Sequence, residues 1–134
     1  MILIVMKFGA SSVADADKMK LVASIIIAKK NAGNKVMAVV SAPGDTTDEL
    51  LEMADKITSN PPAREMDVFL ATEEMISISL LDMAIDALGE KVVSLTRPQS
   101  GILVDINYTS ARVKIVNPKK INSLLSKNNI VIVA

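Results

Sequence analysis

The chain has 134 residues, half of them apolar, and its 15 Lys and Arg are balanced by 15 Asp and Glu. That length and apolar share suit one compact domain with a buried core, and the balanced charge offers no electrostatic pull towards nucleic acid or an anionic membrane. The absence of Cys excludes disulfides, thiol nucleophiles and Cys-ligated zinc, and the absence of His excludes Ser-His-Asp triads, imidazole bases and His-ligated metals.

What remains is carboxylate, ammonium, guanidinium, hydroxyl and backbone chemistry, a set suited to handling phosphate. No run reaches the ~18–20 apolar residues of a membrane helix. The first apolar run is short and no basic stretch precedes it, so a soluble, cytoplasmic protein is expected.

In chain order, residues 2–8 (ILIVMKF) read as a strand buried on both faces. Residues 15–33 carry Met19, Val22, Ile25, Ile26 and Lys29 at helical spacing, with Gly33 as the closing cap. Residues 35–40 (KVMAVV) form a second buried strand, followed by a turn at Ser41-Ala42-Pro43-Gly44. Thr46 and Glu49 have the spacing of a capping box opening a helix to about residue 58, and Asn60-Pro61-Pro62 breaks the chain.

Residues 63–88 read as one long helix, with Phe69, Ile76, Leu80, Met83 and Ala87 as its apolar stripe. A strand over 91–95 follows. Short strands within 101–116 are separated by a turn at Asn107-Tyr108-Thr109-Ser110, then come a helix over 118–127 and a buried strand over 129–134. The alternation predicts a three-layer α/β/α fold with a mostly parallel central sheet, without repeats or a linker.

Four stretches could carry chemistry. Lys7-Phe8-Gly9-Ala10-Ser11-Ser12 places a lysine and a small-residue turn at the carboxyl edge of the sheet, where backbone N–H groups and a point charge can face an anion. The same residues also fit a strand-end lysine reaching solvent before an ordinary turn. Ser41 through Thr47 follows the second strand. Capping explains Thr46 and Glu49 but leaves Ser41 and Thr47 unexplained. Glu73-Glu74 puts two carboxylates about 100° apart on an apolar helix, one of them free to point at a cleft. Arg97-Pro98-Gln99-Ser100-Gly101 follows the third strand. Turns after several parallel strands are how α/β sheets assemble one pocket.

These residues match a known pattern. KFGASSV resembles the KFGGTSV signature of aspartate kinases, in the amino-acid kinase superfamily, and VVSAPGDTTDELLEMA resembles their VVSAMGDTTDELI segment. LATEEMISISLLDMAI is similar to LSTGEQISIALLAMAL, LTRPQSGILVDINYTSARV to LTGWQAGI…ARI, and NIVIVA to the strand before a GFQG turn. The likeness runs through all 134 residues in order.

The resemblance implies ATP-dependent phosphorylation of the side-chain carboxylate of L-aspartate, the first step towards lysine, threonine and methionine, with Mg²⁺ accompanying ATP. By position, Lys7 would neutralise the transferring phosphoryl group as the catalytic residue. Gly9, Ala10 and Ser11 would hold the terminal phosphates with Lys7. Ser41, Thr47 and Glu74 would contact aspartate, Glu74 at its amino group. No protein ligand set for a metal is implied.

Four positions depart from the pattern. Ala10 stands for its second glycine, Ser11 for threonine, Glu73 for the glycine before the acid, and Met75 for glutamine. Ala10 adds a methyl where backbone meets phosphate and tolerates positive φ poorly. Ser11 keeps the hydroxyl, Glu73 is a large charged residue beside the proposed substrate site, and each change is expected to weaken aspartate or ATP binding.

The family continues into a second half that supplies the adenine pocket, followed by ACT domains. This chain therefore corresponds to the N-terminal, amino-acid-substrate part, and the 134 residues alone are expected to be inactive. A non-catalytic binding module of the same ancestry is the alternative. If the second half covers this sheet, the isolated chain exposes an apolar edge, and a homodimer through it is one expectation.

Overall fold

The computed structural model describes residues 1–105 and 112–134. The turn expected at Asn107-Tyr108-Thr109-Ser110 lies outside the described residues. The elements are β1 (Leu3–Phe8), a 3₁₀ turn (Ala10–Val13), α1 (Ala16–Asn31), β2 (Lys35–Val40), α2 (Thr46–Ile57), α3 (Ala63–Asp86), β3 (Val92–Leu95), β4 (Ile102–Val104), β5 (Val113–Val116), α4 (Lys119–Ser126) and β6 (Ile130–Val133). Four strands form one parallel sheet in the order β1-β2-β6-β3. β4 and β5 pair antiparallel as a separate hairpin.

The sheet is covered unequally. α1 and α3 pack on the face that carries Val36, Ala38, Val40, Ile130 and Ile132, around Ile26, Leu81 and Ile85. Full burial of each such aliphatic side chain contributes about 1.5–3 kcal/mol. On the opposite face Leu125 of α4 meets Leu95, Val131 and Val133. β6 lies between two strands and two helical layers, so all four of its residues are buried.

β1 corrects the sequence expectation. It is an edge strand, and α4 covers the far side of the sheet from it. Leu3 and Val5 are 47% and 57% exposed, and Lys7 shares their face. The other face, with Met6 and Phe8, packs on the core.

α3 corrects another. Its sheet-facing side is Glu73, Ser77, Ile78, Leu81 and Ile85, whereas Ile76, Leu80 and Met83 of the expected stripe are exposed. α3 is apolar on more than one side, so periodicity alone could not pick the buried one. In α1, Ile25 is likewise exposed while Ala23 is buried.

The helix ends follow local chemistry. Asp15 caps α1 by accepting from the Lys18 amide at 2.9 Å. At the other end Gly33 (φ +93°) donates to the Lys30 carbonyl at 2.9 Å. The expected capping box is not formed. Thr46 is the first residue of α2 rather than its cap, and its hydroxyl donates to the Pro43 carbonyl. Asp48 and Glu49 instead place negative charge at the helix N-terminus.

Candidate active site

Lys7 pairs with Val39, Val39 with Val133, and Val133 with Leu95, so one row of the sheet runs from β1 to β3. Because the strands are parallel, the loops after β1, β2 and β3 all leave from the same edge. That edge is where open α/β sheets bind ligands.

The first loop turns sharply after Phe8. Gly9 is extended (φ −76°, ψ 172°), and a Cβ built there would meet nothing within 4 Å, so the backbone is open to approach. Ser12 donates to the Gly9 carbonyl at 3.0 Å and closes the turn. Among the described residues Asn128 is the sole non-glycine with positive φ. Ala10 therefore adopts its 3₁₀ conformation without backbone strain.

Two backbone bonds fasten the next loop to this one. The Ser41 amide donates to the Phe8 carbonyl at 3.2 Å, and the Gly44 amide to the Ala10 carbonyl at 3.1 Å. The loop carrying Lys7, Gly9, Ala10 and Ser11 is thus held to the Ser41–Gly44 turn through Phe8 and Ala10. Thr47, in the first turn of α2, donates its hydroxyl proton to Glu73 Oε2 at 2.6 Å. Glu73 is 2% exposed, and its Oε1 has no hydrogen-bond partner, as is also true of Ser77 Oγ one turn along the same face.

Glu74 points elsewhere. With Arg97 it lines a cleft of about 400 Å³ shared with Ala71, Thr96, Pro98 and Ala134. Arg97 Nη2 lies 3.8 Å from Glu74 Oε2, both side chains being partly exposed. The turn carrying Arg97 is fixed by the Ser100 hydroxyl on the Arg97 carbonyl at 2.6 Å and the Thr96 amide on Gln99 Oε1 at 3.0 Å. Gly101 (φ +89°) ends it where a Cβ would fall 2.0 Å from the Asn117 carbonyl oxygen.

The structure therefore gathers Ser41 with the Lys7–Ser11 loop, and Glu74 with Arg97. It does not bring Lys7 into contact with Thr47 or Glu74. Lys7 rises from the α4 face of the sheet while α3 lies on the other, and no ion pair joins Lys7 to another described residue. The Thr47–Glu73 bond was missed by sequence reasoning. The available signal was a glutamate at the helical spacing of Ser77, Leu81 and Ile85.

A larger apolar cavity of about 620 Å³ runs between α1 and α3 and includes none of the predicted site residues. Among the described residues no group of three or more His, Cys, Asp or Glu comes together to hold a metal ion, and no helix is long and apolar enough to cross a membrane.

The family model described as the amino acid kinase family matches residues 3–134. An aspartokinase of Mycolicibacterium smegmatis is 44% identical over 134 residues, covering 100% of this chain and 32% of that protein. An aspartokinase of Corynebacterium glutamicum is 46% identical with the same coverage. The chain thus spans about a third of the length of the curated relatives it matches. The crystal structure of aspartate kinase from Synechocystis superposes with a TM-score of 0.84 at 36% identity, over 99% of this chain and 21% of that one.

Proposed function

This chain belongs to the amino acid kinase family, and on that premise we propose that it carries the amino-acid and terminal-phosphate subsites of a cytoplasmic kinase acting on L-aspartate. In the reaction a side-chain carboxylate oxygen of aspartate attacks the terminal phosphorus of ATP, and the bond to the bridging oxygen breaks. Aspartyl phosphate and ADP result. Such transfer depends on positioning and charge neutralisation, which needs neither His nor Cys.

Lys7 supplies the neutralising ammonium at the transferred group. The backbone of Gly9, Ala10 and Ser11 approaches the terminal phosphates, and the open space beside Gly9 leaves room for that approach. Ser41 and Thr47 contact aspartate, and Glu74 faces its ammonium group. Mg²⁺ enters as the companion of the ATP phosphates and offsets their charge; the described residues offer it no ready-made cage.

The observation that carries this reading is the fastening of the Ser41–Gly44 turn to the Lys7–Ala10 loop by two backbone bonds at one sheet edge. Calorimetric titration with L-aspartate tests it. Binding is expected, with Ser41→Ala and Glu74→Gln each weakening it about tenfold, as loss of a hydrogen bond to a charged group does. Absence of aspartate binding overturns the reading. The chain alone, a third of its relatives in length, is expected to release no ADP from ATP and aspartate.

A binding module of the same ancestry without catalysis is the second reading, favoured by Glu73, which takes the Thr47 proton. Fusing this chain to the remaining two thirds of a relative separates the two. Aspartate-dependent ADP release from the chimera ends the second reading.

A further inference from the structure

We propose that Glu73 is a specificity-determining positioning residue, which takes the single proton of the Thr47 hydroxyl and so turns Thr47 into an acceptor for an N–H group of the amino-acid ligand. Here Thr47 is taken, as above, to touch that ligand.

A threonine hydroxyl has one proton and two lone pairs, and an ionised carboxylate has acceptors alone. The Thr47 proton is committed to Glu73 Oε2 at 2.6 Å. It cannot be surrendered cheaply. Glu73 is 2% exposed and its other oxygen already lacks a donor, so losing Thr47 would leave a buried carboxylate without any hydrogen bond. Stranding a buried charged group costs more than one ordinary hydrogen bond returns. Ser77 does not relieve this, because its hydroxyl makes no bond to Glu73.

Thr47 itself is exposed at the start of α2. What it shows a ligand is therefore oxygen lone pairs backed by a negative charge. An ammonium group is complementary to that arrangement. A carboxylate meets a hydroxyl with no proton to offer it, which is rejection by mismatch rather than by size. The ammonium of aspartate, which has three N–H groups, would then meet Thr47 as well as Glu74.

The test is calorimetry with L-aspartate and with succinate, which has the two carboxylates and no amine. The proteins are the unmodified chain, Glu73→Ala, Glu73→Gln, Thr47→Val and the double variant Thr47→Val/Glu73→Ala. The unmodified chain is expected to bind succinate at least tenfold more weakly than aspartate, and Glu73→Ala to raise succinate affinity about tenfold by freeing the Thr47 proton. Thr47→Val should weaken aspartate about tenfold by removing the acceptor, and the double variant should lose the succinate gain. Glu73→Gln, of the same shape and with an amide oxygen that still accepts the proton, should gain less than Glu73→Ala.

A gain that persists in the double variant, or that is equal in Glu73→Gln, assigns the effect to charge and overturns the proposal. So does aspartate binding accompanied by unchanged succinate affinity in Glu73→Ala, which leaves the aspartate reading standing. Absence of heat with aspartate in every variant removes that reading, and this proposal with it.

Discussion

The Gly44 amide donates to the Ala10 carbonyl across 3.1 Å, so the turn after β2 is held on the turn after β1. Gly44 reaches this position with φ +54°, and a Cβ there would touch Ala14 Cβ at an ordinary 3.5 Å. Space is therefore available and the constraint is the backbone. An L-residue in that conformation costs about 1–2 kcal/mol. Gly44→Ala is expected to lower the melting temperature by roughly 2–8 °C, read by circular dichroism. An unchanged midpoint would show that this turn does not need glycine.

Neighbouring leucines on α3 should respond very differently. Leu81 is 0% exposed and sits against the sheet, whereas Leu80 is 46% exposed. Leu81→Ala is expected to cost about 2–5 kcal/mol and Leu80→Ala less than about 1 kcal/mol, measured by urea denaturation. Equal losses would mean that the outer stripe of α3 is covered in solution.

Lys7 makes a cleaner separation of binding from folding. It is exposed and has no ion-pair partner among the described residues. Lys7→Ala should keep stability within about 0.5 kcal/mol while abolishing any affinity for Mg²⁺-ATP, followed by titration calorimetry. Undiminished nucleotide affinity would remove Lys7 from the phosphate site.

Asp82 gives a pH signature. Partial burial holds its carboxyl above the ordinary carboxylate value, against hydrogen bonds from the Ser94 backbone and hydroxyl that pull it down, and Asp86 adds to the rise. The folded state therefore holds this proton more tightly than the unfolded chain does. The corresponding stability is fully present below about pH 4 and is lost as pH rises through the folded value. Asp82→Asn should gain melting temperature relative to the unmodified chain on going from about pH 4 to neutrality. A difference that does not vary with pH refutes this.

Much of this architecture is legible in the residues. Runs such as KVMAVV and NIVIVA could only be buried strands, and the parallel sheet follows from their alternation with helices. What the pattern could not show was which strand lies at the edge, because sheet order depends on long-range pairing. ILIVMK reads as apolar throughout and still has one face uncovered. The site was partly legible. Ser41 and Lys7 stand at strand ends and the folded sheet brings their loops together. Helical spacing with Ser77, Leu81 and Ile85 puts Glu73 on the buried face of α3, but its partner Thr47 lies on another helix, and no local spacing encodes that pairing.

β6 enters the sheet between β2 and β3, with Ala38 paired to Ile132 and Ser94 to the same residue. During synthesis, β2 and β3 therefore wait without their shared neighbour until residues 130–133 have left the ribosome. For β2 that is a delay on the order of ten seconds. Until then the apolar sides of α1 and α3 have only each other, the β1–β2 pair and a β3 strand not yet joined to the sheet to rest on. Pairings so distant in sequence are slow to find, so the nascent chain passes through an interval in which its largest apolar surfaces are open to aggregation and to chaperones.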